Sequence, residues 1–134
     1  MKKECVFCKI IRKETNSYTV YETKDIIAFF PIDSASIGHT LIVPKKHYEN
    51  IYDIPDNLLK KIIIIAKKVA LLYKDKLGIN ECNIMHASGK NAQQSVMHFH
   101  AHLVPRKEND GLNLWYEAGK KVVADFDEIL KRLK

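Results

Sequence analysis

The sequence predicts one α+β domain over residues 1–134: a five-stranded antiparallel sheet with one long helix and a C-terminal helix. Three observations predict it. Five short segments are rich in β-branched and apolar residues. One long segment repeats its apolar residues at helical spacing. The connections between segments are mostly short, which suits antiparallel neighbours in a meander covered on one face.

The elements follow in order. Residues 5–13 read as a short helical turn. Residues 17–22 form a first strand, with Val20 among Tyr and Thr, and 26–32 a second, rich in Ile and Phe. Gly38 breaks the chain before a third strand at 39–43, which Pro44 stops. Asp53-Ile-Pro55 opens the long helix, because proline's missing N–H is no loss in a first turn. Leu59, Ile62, Ile63, Ala66, Val69, Ala70 and Tyr73 make its buried face, and lysines at 60, 61, 67, 68 and 74 its wet side. Leu77-Gly78 stops it. Two further strands span 83–87 and 98–104. Residues 122–133 are amphipathic and end in Lys and Arg, as a helix C-terminus favours.

At 134 residues the chain can bury a core without disulfides. Three cysteines, an odd number, argue against a secreted disulfide scaffold. No apolar stretch follows Met-Lys-Lys-Glu, and the longest apolar run, 62–66, is too short to span a bilayer. A reducing cytoplasm and no membrane are therefore expected. The net charge of +6 reads either as solvated basic surface or as the footprint of an anionic ligand, and charge alone does not separate these.

The informative segment runs from Gln94 to Arg106. His98, His100 and His102 alternate with Phe99, Ala101 and Leu103. Alternate residues of a strand share a face, so the three imidazoles line one side. They serve either as ligands of a catalytic metal or as nucleophile and acid–base groups. At roughly 3.3 Å per residue, His98 and His102 stand about 13 Å apart. Metal–nitrogen bonds are about 2.0–2.1 Å, so one ion does not take all three from a straight strand. At least one histidine is left for another task.

This segment resembles the signature of the histidine triad (HIT) family, matched in full by His98-Phe-His-Ala-His-Leu-Val104. Gly38-His-Thr-Leu-Ile-Val-Pro-Lys-Lys-His47 resembles the family's second block. Cys5-Val-Phe-Cys-Lys-Ile-Ile11 resembles the N-terminus of its prokaryotic, zinc-containing, Hint-like branch. The resemblance implies that His100 attacks the α-phosphorus of a nucleotide ester or phosphoramidate and forms a covalent nucleotidyl-histidine, which water releases. Imidazole suits this, since its ordinary pKa near 6.5 leaves it largely neutral at pH 7. By the same resemblance His102 helps hold the phosphate and His39 lies near the nucleophile. Gln94 and Ser95 match positions on the phosphate or leaving-group side, although simple turn chemistry before a strand also explains them. Ile32 matches an apolar position against the base. Relatives carry an acidic residue where this chain has Pro31, and Asp33, of the same strand parity, is the candidate substitute for the ribose hydroxyls. The chain also departs from relatives at Ala87-Ser88, where they often have Asn, and at Gln93, where Gly is usual.

Cys5-x-x-Cys8 alone reads as a zinc half-site, a redox pair or coincidence. A redox pair of the thioredoxin type wants a βαβ setting that the sequence lacks. By resemblance, His47 and His98 complete a four-ligand structural zinc site with Cys5 and Cys8. Cys82 reads as an ordinary buried thiol. Family resemblance also implies a two-fold dimer with one continuous sheet, and a leaving-group pocket shaped by the segment around Trp115, unless Trp115 packs on its own core. The expected ligand is a purine nucleotide or nucleoside phosphoramidate, with no organic cofactor and no nucleic acid. Three other readings stay open: a dinucleoside polyphosphate hydrolase, a non-catalytic nucleotide-binding or interaction module, and a metal-dependent enzyme.

Overall fold

Apolar alternation in the central strands serves two different layers at once. The computed structural model describes residues 5–116, 119 and 122–134. The strands are β1 (Thr19–Glu22), β2 (Ile26–Phe29), β3 (Thr40–Pro44), β4 (Glu81–His86) and β5 (Ala101–Arg106). The helices are α1 (Val6–Ile11), α2 (Asp56–Leu77) and α3 (Phe126–Leu133), with a 3-10 turn at Lys90–Ala92. The α+β class and the five antiparallel strands are as expected.

The strand order, β1-β2-β3-β5-β4, corrects the simple meander. β3 and β4 each run antiparallel to β5, so they are parallel to one another. Parallel strands need a crossover connection, and α2 supplies it. The chain lays down the outer strand β4 first, and β5 then returns into the gap. Cover on one face is corrected too. Ile26, Ala28, Ile42, Phe99, Ala101 and Leu103 pack with Ile62, Ile65, Ala66, Val69 and Tyr73 of α2. The opposite parity, Ile27, Phe29, Leu41 and Val43, packs with Phe7 and Ile10 of α1. β2 and β3 are accordingly buried at every position.

Several boundaries move for local reasons. α1 begins after Cys5, whose Sγ caps it by accepting the Cys8 N–H. β2 ends at Phe29 rather than at residue 32, since Pro31 offers no ladder donor. Ile32 and Asp33 therefore lie in the following turn, and the strand parity invoked for Asp33 does not apply. β3 starts at Thr40 and includes Pro44, which pairs with Ile26. Pro55 is the N-cap of α2, not a first-turn residue. Within α2, Ile63 is half exposed while Ile65 takes a buried place. β4 and β5 are shifted to 81–86 and 101–106. Pro105 is tolerated because β5 has by then passed its last partner in β3. Cys82 is exposed on the outer strand rather than buried. The C-terminal helix begins at Phe126, not at residue 122, with Asp125 accepting the Glu128 N–H.

Gly38 joins the layers. Its φ of +88° suits glycine, and an added Cβ would stand 3.1 Å from Pro105 Cγ and 3.4 Å from the Tyr73 ring. Next to it, the Tyr73 hydroxyl donates to Thr40 Oγ1 at 2.5 Å, and Thr40 donates to the Gly38 carbonyl at 2.7 Å. This clasp fixes the turn that leads into His39. Among the described residues, no helix is long and apolar enough to cross a membrane.

Candidate active site and metal centre

The alternation around β5 survives although the strand is shorter than expected. Only His102 lies in the ladder; His98 sits in a bend and His100 in the irregular segment just before the strand. Phe99, Ala101 and Leu103 still face α2. The imidazoles face the other way, where the Phe7 ring stands edge-on to His98 at 5.8 Å and to His100 at 5.1 Å.

Cys5, Cys8, His47 and His98 converge, with one ligand atom from each lying within 4.8 Å of the others. Cys5 Sγ is 3.3 Å from His98 Nδ1, and Cys8 Sγ is 3.5 Å from His47 Nδ1 and 3.6 Å from His98 Nδ1. A tetrahedral ion with metal–sulfur bonds of about 2.3 Å and metal–nitrogen bonds of about 2.0–2.1 Å would hold S and N about 3.5 Å apart. The four residues fit such an ion. His98 Nε2–H donates to the Pro44 carbonyl at 2.8 Å, which leaves the Nδ1 lone pair turned to the cysteines. Burial pushes the His98 pKa down to about 4, so the ring is a neutral ligand.

His100 stands outside this cluster. It is 4% exposed, and its Nδ1–H donates to the His98 carbonyl at 2.8 Å. A carbonyl only accepts, so Nδ1 holds the proton and Nε2 the lone pair. Burial holds its pKa below the usual histidine value, against the pull of that hydrogen bond. The ring is thus neutral and basic at Nε2 near pH 7.

A second line of hydrogen bonds sets His102. The Ala35 N–H donates to His39 Nδ1 at 2.9 Å, which puts the His39 proton on Nε2. His39 Nε2–H then donates to His102 Nδ1 at 3.0 Å, which leaves a proton on His102 Nε2. Burial, with His100 and His39 nearby, lowers the His102 pKa to about 4, and burial lowers that of His39. Two neutral imidazoles therefore sit side by side, rings 5.0 Å apart, one with a lone pair at Nε2 and one with a donor. Chemically, this pairs a nucleophile with a hydrogen-bond donor for an anion.

The remaining candidates are placed differently. Gln94 is buried, and its amide is spent on the chain: Nε2 donates to the Glu49 and Val96 carbonyls, and Oε1 accepts from the Gly89 N–H. Ser95 beside it is exposed. Ile32 is 96% exposed and Asp33 exposed, in the turn after β2. Trp115 is exposed and stands against Tyr116 rather than in a core. His86 was not singled out from the sequence, where it is a lone histidine outside any motif. In the fold its Nδ1–H donates to the His100 carbonyl at 2.9 Å.

The family model for the HIT domain matches residues 12–109. An uncharacterised HIT-like protein of Methanocaldococcus jannaschii is 43% identical over 97% of this chain and 98% of its own length. The adenosine 5'-monophosphoramidase of Saccharomyces cerevisiae is 39% identical over 95% of this chain and 77% of its own. Among solved structures, a HIT family protein of Bacillus subtilis superposes with a TM-score of 0.82 at 33% identity, covering 98% of this chain and 95% of that one. A zinc-bound histidine triad family protein of Mycobacterium smegmatis gives 0.78 at 30% identity, covering 85% and 83%. With likeness of this extent in both sequence and fold, the chain belongs to the histidine triad (HIT) family.

Proposed function

We propose that this chain is a nucleotide hydrolase that cleaves purine nucleoside phosphoramidates through His100. The observation that carries the reading is the tautomer of His100: its Nδ1–H is fixed on the His98 carbonyl, so Nε2 presents a lone pair. The similarity to a yeast protein named adenosine 5'-monophosphoramidase supports the substrate class. Nε2 attacks the α-phosphorus, an Nε2–P bond forms, the P–N bond breaks, and the amine takes up a proton as it leaves. Water then attacks the same phosphorus and returns the nucleotide and free His100. His102 Nε2–H donates to a phosphate oxygen, oriented by His39. The exposed side chain of Ile32 packs against the base and Asp33 takes the ribose hydroxyls. Ser95 and nearby backbone N–H groups meet the leaving-group side, and Gln94 holds their loop.

Cys5, Cys8, His47 and His98 hold a structural zinc ion in this reading. It supplies a cross-link between α1 and the histidine segment, and Phe7 passes that restraint to His100. Thiol ligands suit a reducing cytoplasm. A second copy of the chain pairs along the outer strand β4, whose Ile84 and Met85 are exposed, as are Ile63, Ile64 and Leu71 of α2.

The test is turnover of an AMP–amine fluorogenic substrate. Wild type is expected to release the amine, and His100→Ala to lose at least about a thousandfold in kcat while staying folded. Mass spectrometry of the quenched reaction should find AMP on His100. Equal rates for the two proteins sink the proposal, and faster cleavage of diadenosine polyphosphates reassigns the leaving group. Light scattering in solution reads the dimer.

A further inference from the structure

The mechanism leaves one ordered histidine unused. His86 closes β4, and the last pair of the β4–β5 ladder is His86 with Ala101. One residue before that pair, the His100 carbonyl accepts the Nδ1–H of His86 at 2.9 Å. The side chain of His86 thus carries the ladder one step further, onto the peptide of the proposed nucleophile.

The ring is itself held from two sides. It stacks on Phe99 with centroids 4.2 Å apart and planes at 20°. On its far nitrogen the Ser88 hydroxyl donates to Nε2. Ser88 Oγ in turn accepts the Ile51 N–H at 2.9 Å. Every donor points one way: Ile51 N–H to Ser88, Ser88 O–H to His86 Nε2, and His86 Nδ1–H to the His100 carbonyl. The line leaves His86 in the one neutral tautomer that can hold that carbonyl.

The His100 ring is therefore anchored twice, by its own Nδ1–H to His98 and through its peptide by His86. The first bond selects the tautomer, and the second fixes the backbone that carries the ring. We propose that His86 is a positioning residue for His100, acting through the His100 peptide and held in its working tautomer by Ser88. The inference rests on His100 being the nucleophile. A misplacement of even about 1 Å at a nucleophile is costly, because the attack geometry must be met before any chemistry occurs.

Two substitutions separate the hydrogen bond from the stacking. His86→Phe keeps a ring against Phe99 and removes the donor. His86→Asn places an amide N–H close to the lost Nδ1–H and removes the ring. With the AMP–amine substrate, His86→Phe is expected to lower kcat about tenfold with KM within twofold, and His86→Asn to recover most of the loss. Zinc content and thermal midpoint check that both proteins are folded and loaded. A second readout needs no turnover: nitrogen-15 spectra of the His100 ring. Wild type and His86→Asn should show the same ring shifts, with the proton at Nδ1, and His86→Phe shifted and broadened signals as the peptide that carries the ring loses its anchor. If the ring signals of His86→Phe match wild type, or if His86→Asn is as impaired as His86→Phe, the positioning role is overturned. If wild type cleaves nothing yet the ring signals change as expected, the substrate assignment fails and the positioning of His100 stands.

Discussion

Two halves of the proposed site are held very differently. On one side, His39, His98, His100 and His102 are tied to carbonyls, to a backbone N–H or to each other, and three of the four are at most 6% exposed. On the other, Ile32 and Asp33 stand exposed in a turn where the Ser34 hydroxyl donates to the Pro31 carbonyl at 3.0 Å. Groups that must meet a phosphorus at fixed angle and tautomer need this over-determination. Groups that only enclose a base do not, and an apolar side chain left in water gains by covering it.

That contrast can be broken most severely at the candidate metal site. Cys8→Ser, or chelation of the wild-type protein, should release α1 from the histidine segment. Loss of about 2–4 kcal/mol would lower the thermal midpoint by about 7–14 °C for a domain of this size. Turnover should fall with it, because Phe7 is carried on α1 against His100. Differential scanning calorimetry beside metal analysis reads this. An unchanged midpoint in metal-free protein would mean the ligand cluster restrains nothing.

His39→Ala probes the tied half without touching the nucleophile. It removes the donor to His102 Nδ1 and frees that ring to take the other tautomer. A fall in kcat of about ten- to a hundredfold is expected, since general acid–base or donor groups are worth roughly that much or more. The AMP–His100 adduct should still form, only slowly. If the adduct rate is normal, His102 needs no orientation from His39.

The smallest effect is expected in the loose half. Ile32→Ala should raise KM about three- to tenfold, in keeping with about 1 kcal/mol of lost apolar contact, and leave the thermal midpoint within a degree. Steady-state kinetics and a melting curve measure both. A fall in kcat with KM unchanged would show that the turn after β2 takes part in the chemistry.

What the sequence makes legible follows the same division. Alternation at 98–103 is a local, period-two signal, and the faces it assigns are the faces in the fold. The gathering of Cys5, Cys8, His47 and His98 rested on resemblance, and the fold brings those four together. The insertion of β5 between β3 and β4 was hidden, because strand order depends on long-range pairing and not on any local pattern. Asp33 was misread on parity because Pro31 ends the ladder earlier than the apolar run suggests. His86 carried no signal at all, since its partner is a carbonyl, and every residue has one.

The inserted strand has a consequence for how this protein comes to exist. Cys5 meets His98 across 93 positions of chain, and β5 must enter a slot whose two walls, β3 and β4, come earlier. During synthesis, then, the emerging polypeptide holds two bare cysteines and an open seam in its sheet until Arg106 has left the ribosome. A product ended before Arg106 would lack the strand that joins β3 to β4, and it is expected to lose the sheet as a unit rather than in part.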